Sequence, residues 1–249
     1  MPSFWKHVNS VLEQAEIIIE VLDGRLIEES RNREIEEKVK RMNKKLLFVI
    51  NKCDLVEQKK MEEAKRKLHP SLFVSCREHF GTTMLKKKIL ELSKGKETVV
   101  GIVGYPNVGK SSLINALSGR GSARTSPESG FTKGLQKVRV DKRILLIDTP
   151  GVLPYLEKNE GKHVLMSTID YGKIKDPETA ALQIITDKTE LVKDFYQVKG
   201  NDPEGILEEI AMKFNRLQKG GQPDLEATGR IVIKDWQAGK MKKGVTRYF

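Results

Sequence analysis

Short β-branched runs alternate with longer charged stretches along the first part of the chain. "EIIIEVL" (Glu16–Leu22), "KLLFVI" (Lys45–Ile50), "SLFVSC" (Ser71–Cys76) and "TVVGIV" (Thr98–Val103) read as buried strands. The charged segments between them place apolar residues at helical spacing. In "RNREIEEKVKRMNKK", Ile35 and Val39 stand four apart on one face. Val8–Gln14, "EQKKMEEAKRKL", "TMLKKKILELS" and Ser111–Leu117 read as further helices. The second of these stops near His69-Pro70, because proline disfavours helix in the residue before it. "QKVRV" and "RILLID" read as a hairpin turning at Asp141-Lys142. Strands alternating with helices predict an α/β domain.

After Pro154 the strand signals give way to helix signals. "DPETAALQIITD" and "DPEGILEEIAMKFNRLQ" both open on a capping Asp, a Pro at the first helical position and an acid near the helix's positive end. Leu207, Ile210, Phe214 and Leu217 recur at helical spacing, as the core face of a small helical domain. The division expected is an α/β domain over residues 1–172 and a helical domain over 173–249.

Composition narrows the setting. Hydrophobic content is 38% and no apolar run is long enough to span a bilayer, so no membrane partner is expected. No charged-then-apolar leader opens the sequence. Two cysteines, Cys53 and Cys76, fit a reducing cytoplasm better than a disulfide framework. The net charge of +11 favours a polyanionic partner.

The chemistry lies in the loops after the strands. "GYPNVGKSS" (Gly104–Ser112) fits Gly-x-x-x-x-Gly-Lys-Ser between a strand and a helix. Backbone N–H groups of Asn107, Val108, Gly109, Lys110 and Ser111 would cradle the α- and β-phosphates, with Ser112 beside them. Lys110 would reach the β- and γ-phosphates, and Ser111 would ligate Mg²⁺. "RILLIDTPG" adds Asp148 as the acidic partner of the metal and the Gly151 N–H for the γ-phosphate. "NKCD" (Asn51–Asp54) supplies base choice. Asp54 accepts from the N1–H and amino group of guanine, which adenine lacks on that edge. Asn51 would tie its loop to the phosphate loop, the stem of Lys52 would cover the ring, and Ser75 and Cys76 would contribute donors toward O6.

These motifs stand in an unusual order, with the base reader ahead of the phosphate loop. "VLDGR" (Val21–Arg25), "NKCD", "SC", "GYPNVGKSS", "GFTK", "DTPG" and "GRIVIKDWQAGK" together resemble the YlqF/YawG (RbgA-like) family of circularly permuted ribosome-assembly GTPases. The resemblance covers nearly the whole chain. It implies a P-loop GTPase sheet of six mostly parallel strands with helices on both faces, rejoined through Lys94-Gly95-Lys96-Glu97. It also implies a small helical C-terminal domain.

The same resemblance implies a GTPase that handles GTP and GDP and binds ribosomal RNA or a ribosomal subunit. Thr132 in "GFTK" matches the switch residue that closes over Mg²⁺, and with Lys110 and Gly151 it completes the expected catalytic set. Asn107 matches the asparagine that holds an activating K⁺ in related loops; a turn former is the alternative. Val152 stands where many GTPases carry a water-orienting Gln, so slow intrinsic hydrolysis is expected. His7 is a weakly aligned candidate for that role. At the end of the chain Arg230, Lys234, Lys240, Lys242, Lys243 and Arg247 are interleaved with Trp236, Tyr248 and Phe249, a pattern suited to RNA phosphates and bases; a solvated helix face with Trp236 in the core is the alternative.

Overall fold

The computed structural model describes residues 3–119, 136–149, 165–166 and 169–242. Thr132, Gly151, Val152, Lys243 and Arg247 lie outside the described residues. The chain divides into two compact units, Met1–Lys158 with Arg247–Phe249, and Asn159–Thr246.

The first unit is an α/β sheet. Its elements are α1 (Ser3–Gln14), β1 (Ile17–Asp23), α2 (Arg33–Arg41), β2 (Lys45–Asn51), α3 (Gln58–Lys67), β3 (Ser71–Phe73), α4 (Thr82–Leu92), β4 (Thr98–Val103), α5 (Lys110–Ser118), β5 (Gln136–Arg139) and β6 (Ile144–Asp148). The sheet order is β3-β2-β1-β4-β6-β5; all neighbours are parallel except the β5–β6 hairpin. Every residue of β1 is buried, which is why that strand reads as a continuous apolar run. Ile35 and Val39 turn the apolar face of α2 inward, and Asn32 caps the helix by accepting from the Ile35 N–H. Each fully buried Ile or Val of this kind contributes roughly 1.5–3 kcal/mol. The joint between α4 and β4 is compact. Lys94 and Gly95 take left-handed backbone, and the Gly95 N–H donates to Leu90 O at 2.8 Å, closing the helix end.

Glu20 is the exception inside β1. Its Oε1 accepts from the Asn32 N–H at 2.6 Å, and burial pushes its pKa up to about 8.

The second unit is helical, with α6 (Pro177–Asp187), α7 (Thr189–Tyr196), α8 (Pro203–Lys213) and α9 (Leu225–Gln237). Asp176 and Asp202 cap α6 and α8 by accepting from Thr179 and Gly205 N–H, as their Asp-Pro-Glu openings lead one to expect. Asp224 caps α9 through the Ala227 N–H. Gly229 lets α9 approach α6 closely: a Cβ there would stand 2.4 Å from Pro177 O.

Two expectations are corrected here. The unit begins at Asn159 and not at residue 173. Leu165, Ile169 and Tyr171 belong to it because their carbonyls accept from Trp236, Gln237 and Arg230 of α9. Leu207 and Ile210 are buried as expected, but Phe214 and Leu217 are 46% and 39% exposed. The helix ends at Lys213 and Asn215 takes left-handed backbone, so the spacing no longer points inward.

Candidate functional site

The loops that carry "VLDGR", "NKCD", "SC" and "GYPNVGKSS" leave the C-terminal ends of the parallel strands β1, β2, β3 and β4, and Asp148 of "DTPG" ends β6. In an open α/β sheet that edge is where ligands bind.

The phosphate loop connects β4 to α5. Asn107 takes left-handed backbone (φ 60°), which asparagine tolerates better than most residues. Gly109 does too, at φ 101°, and a Cβ there would lie 2.2 Å from Asn51 Nδ2, so only glycine fits. Val108 is buried, while Ser111 is half-buried and Ser112 exposed in the first turn of α5. Lys110 is buried and folds back over the loop, donating to Gly104 O at 3.0 Å and Tyr105 O at 2.7 Å. Burial pulls its pKa down to about 8, against the opposing pull of Asp148.

Asp148 ends β6 and is itself buried. Burial pushes its pKa up to about 6, despite Lys110 and the Thr149 N–H. Among the described residues its Oδ1 has no hydrogen-bond partner, an arrangement that costs free energy unless a cation meets that oxygen. The donor set therefore fits Mg²⁺, with Asp148 at the end of β6 and the Ser111 hydroxyl in the first turn of α5.

Asn51 ends β2 and holds two loops at once. Its Nδ2 donates to Val108 O at 2.9 Å and its Oδ1 accepts from the Cys76 N–H at 3.3 Å. The expected tie to the phosphate loop is thus present, and Cys76 is joined to it as well. Asp54 lies in the 3-10 turn Cys53–Leu55 and accepts from Ser75 Oγ at 2.7 Å. That bond aligns the carboxylate from the side of "SC". Cys53 and Cys76 are free thiols, and burial pushes each pKa up to about 12, so neither presents a reactive thiolate at neutral pH.

One part of the site was not read from the sequence. Asp23, at the end of β1, is buried between the base-reading and phosphate strands. Its Oδ1 accepts from Arg25 N and Nε, both at 3.0 Å; its Oδ2 accepts from Arg25 Nη2 and Lys52 Nζ, both at 2.7 Å. Lys52 also donates to Asn107 O at 2.9 Å. Burial would raise the Asp23 pKa, but Arg25 and Lys52 outweigh it and hold the carboxyl well below the usual carboxylate range. The signal was "VLDGR" itself: a charged pair closing an apolar strand.

Elsewhere the expected residues behave differently. His7 sits half-buried on α1, its Nδ1 buried without a hydrogen-bond partner among the described residues. Trp236 is 1% exposed and donates to Leu165 O, so it belongs to the core and cannot stack on a base. Arg230 pairs with Glu226, Lys240 with Asp235, and Lys234 lies over the Tyr171 ring. Those basic side chains are thus engaged within the helical unit, and Lys242 is exposed.

Comparison with known proteins places this geometry. An RsgA GTPase family model matches residues 6–155, running from α1 past Asp148. The chain belongs to the RsgA GTPase family. A second family model, 50S ribosome-binding GTPase, matches residues 99–212, beginning in the strand that enters the phosphate loop. A GTP-binding protein of Methanocaldococcus jannaschii, MJ1464, is 40% identical over 246 residues, covering 95% of this chain and 65% of that protein. Nucleolar GTP-binding protein 2 of Neurospora crassa is 34% identical over 251 residues, covering 95% of this chain and 40% of its own length. The chain thus spans less than two thirds of these relatives. The crystal structure of GNP-bound YlqF from T. maritima has the same fold, with a TM-score of 0.67 at 23% identity over 95% of this chain and 94% of that one. Among the described residues no helix is long and apolar enough to cross a membrane.

Proposed function

We propose that this permuted GTPase domain binds GTP, hydrolyses it to GDP and phosphate with Mg²⁺, and acts in the cytoplasm on ribosomal RNA or a ribosomal subunit. The observation that carries the nucleotide reading is Asn51, which joins Val108 of the phosphate loop to Cys76 of the base-reading loop. One side chain thereby sets the distance between the sites for base and phosphates.

The residues divide the work. Asp54, aligned by Ser75, accepts from guanine N1–H and the amino group, and adenine would leave it unpaired. Lys52 presents its stem to the ring while Asp23 holds its ammonium. Backbone donors from Asn107 to Ser111, with the positive end of α5, meet the phosphates. Lys110 turns from the Gly104 and Tyr105 carbonyls to the β- and γ-phosphates. Ser111, Asp148 and Thr132 would hold Mg²⁺, which supplies charge neutralisation at the β- and γ-phosphates when bound. Gly151 would donate to the γ-phosphate. Asn107 would hold K⁺ beside the phosphates, where its charge does the work of an arginine finger.

Ribosome-directed action is supported by the family and by the nucleolar name of the fungal relative. The chain passes from Asp148 toward the helical unit, so a loop that senses the γ-phosphate leads into that unit and affinity for the partner depends on the nucleotide. Hydrolysis measured with and without purified ribosomal subunits is the test. Stimulation is expected. Tight GTP binding with negligible turnover under both conditions, which Val152 in place of Gln would favour, would make the chain a nucleotide-gated RNA scaffold instead.

A further inference from the structure

The formal charge is divided unequally between the two units. Residues 159–246 hold fourteen Lys and Arg against fourteen Asp and Glu, so the whole excess of +11 falls on the sheet unit.

The topology collects much of it at one end. Helices α2, α3 and α4 each finish where the next parallel strand starts, and the last turns of α2 and α3 are basic. Lys94 and Lys96 follow α4, Lys45 opens β2, Lys142 and Arg143 precede β6, and Arg139 ends β5. All six are exposed. Hydrogen bonds fix them side by side. Lys45 Nζ donates to Leu92 O, Arg143 Nη1 to Gly95 O at 3.4 Å, Arg139 Nη1 to Lys142 O at 3.1 Å, and the Thr98 N–H to Arg143 O at 2.8 Å. From β2 to β5 the row is roughly 20 Å wide at the usual spacing between strands.

Five acids lie along the same edge, Glu13 at the end of α1 and Glu91 in the last turn of α4 among them. Glu16 accepts from Thr98 Oγ1, Asp141 caps its own turn through the Arg143 and Ile144 N–H groups, and Glu97 is exposed. They leave the edge positive. Complementing helix dipoles explains the cations that end α2 and α3. It does not explain Arg139, Lys142 and Arg143, which follow no helix.

We propose that this strand-start edge docks RNA through its phosphates. It supplies the part of the affinity that does not change with the nucleotide, because it lies at the opposite end of the parallel strands from Asp54, Asn107 and Asp148. The identity of the polyanion rests on the ribosome-directed reading above. A protein partner would call for an apolar or aromatic centre, and a membrane for side chains that enter the interface. Among the described residues only Met42 is an exposed large apolar side chain here; Phe80 and Met84 stand beyond β3 and at the start of α4.

The test uses the full chain and a fluorescent RNA hairpin with a single-stranded tail, read by anisotropy. Its arms are wild type, Lys94→Glu/Lys96→Glu/Lys142→Glu/Arg143→Glu, the matching Gln variant, and Lys240→Glu/Lys242→Glu/Lys243→Glu. With log affinity falling about 0.7–0.9 per contact with log salt, the edge reversal should weaken binding at least tenfold at low salt and flatten the slope. The Gln variant should fall between, and the tail variant should lose less. Wild-type affinity in the edge variants, or a larger loss from the tail, would overturn the proposal. So would binding to phosphatidylserine vesicles but not to the RNA. GTP titration of the same preparations checks folding and separates the two readings. Wild type that fails to bind GTP would remove the nucleotide site, while the edge would still stand or fall by the RNA titrations.

Discussion

Lys52 Nζ sits 2.7 Å from Asp23 Oδ2 and 2.9 Å from the carbonyl oxygen of Asn107. One ammonium therefore bridges the end of β1 to the phosphate loop, and its own residue begins the turn that carries Asp54. Asp23 is a positioning residue in this arrangement, acting through Lys52.

Asp23→Asn should weaken both GTP and GDP binding, because Lys52 loses its anchor and Arg25 loses the carboxylate that it meets at 2.7 Å. Removing one partner of a buried pair costs about 3–5 kcal/mol, a loss that denaturant unfolding would register beside nucleotide titration. Unchanged affinity in a folded variant would reduce Asp23 to a stability role.

Asp54→Asn should shift preference from GTP to xanthosine triphosphate, whose O2 accepts where the guanine amino group donates. Competition binding measures this directly. Retained GTP preference would take Asp54 out of base reading, despite its bond to Ser75.

Hydrolysis should run faster in KCl than in NaCl at equal ionic strength, and Asn107→Ala should erase the difference. Asn107 already serves the turn through its left-handed backbone, so nucleotide affinity in the variant is measured alongside. Equal rates in the two salts would leave the turn as its whole role.

The pH profile of kcat/KM should be bell-shaped. Asp148 must be ionised to meet a cation, and its raised pKa of about 6 makes activity fall as pH drops through that value. Lys110 must be protonated to meet phosphate, and its lowered pKa of about 8 makes activity fall as pH rises through it. Asp148→Asn should remove the acid limb along with most activity. A flat profile from pH 5 to 9 would contradict both assignments.

Much of this was legible in the sequence for physical reasons. Buried parallel strands are apolar throughout, so β1, β2 and β4 announce themselves, and the phosphate loop and "NKCD" each carry local geometry in local residues. α7 was missed because it is short, follows α6 after Lys188 alone and has no side-chain cap; its signal was Val192 and Tyr196 four apart. For Trp236 the sequence left both RNA stacking and a core position open, and the buried face that it shares with Val232 and Ile233 on α9 decides for the core. The Asp23–Lys52 bridge spans 29 positions and two strands, and no local pattern encodes it.

The strand order also has a consequence for the growing chain. β1, β2 and β3 are synthesised before β4, yet β4 pairs with β1 in the middle of the finished sheet. Until residues after Glu97 emerge, the nascent protein presents β1, every residue of which is buried in the end, as a bare pairing edge. Such an edge invites association between chains. The reordered strands thus place this hazard before β4 emerges, when the half-built domain depends on prompt arrival of its own phosphate-loop strand.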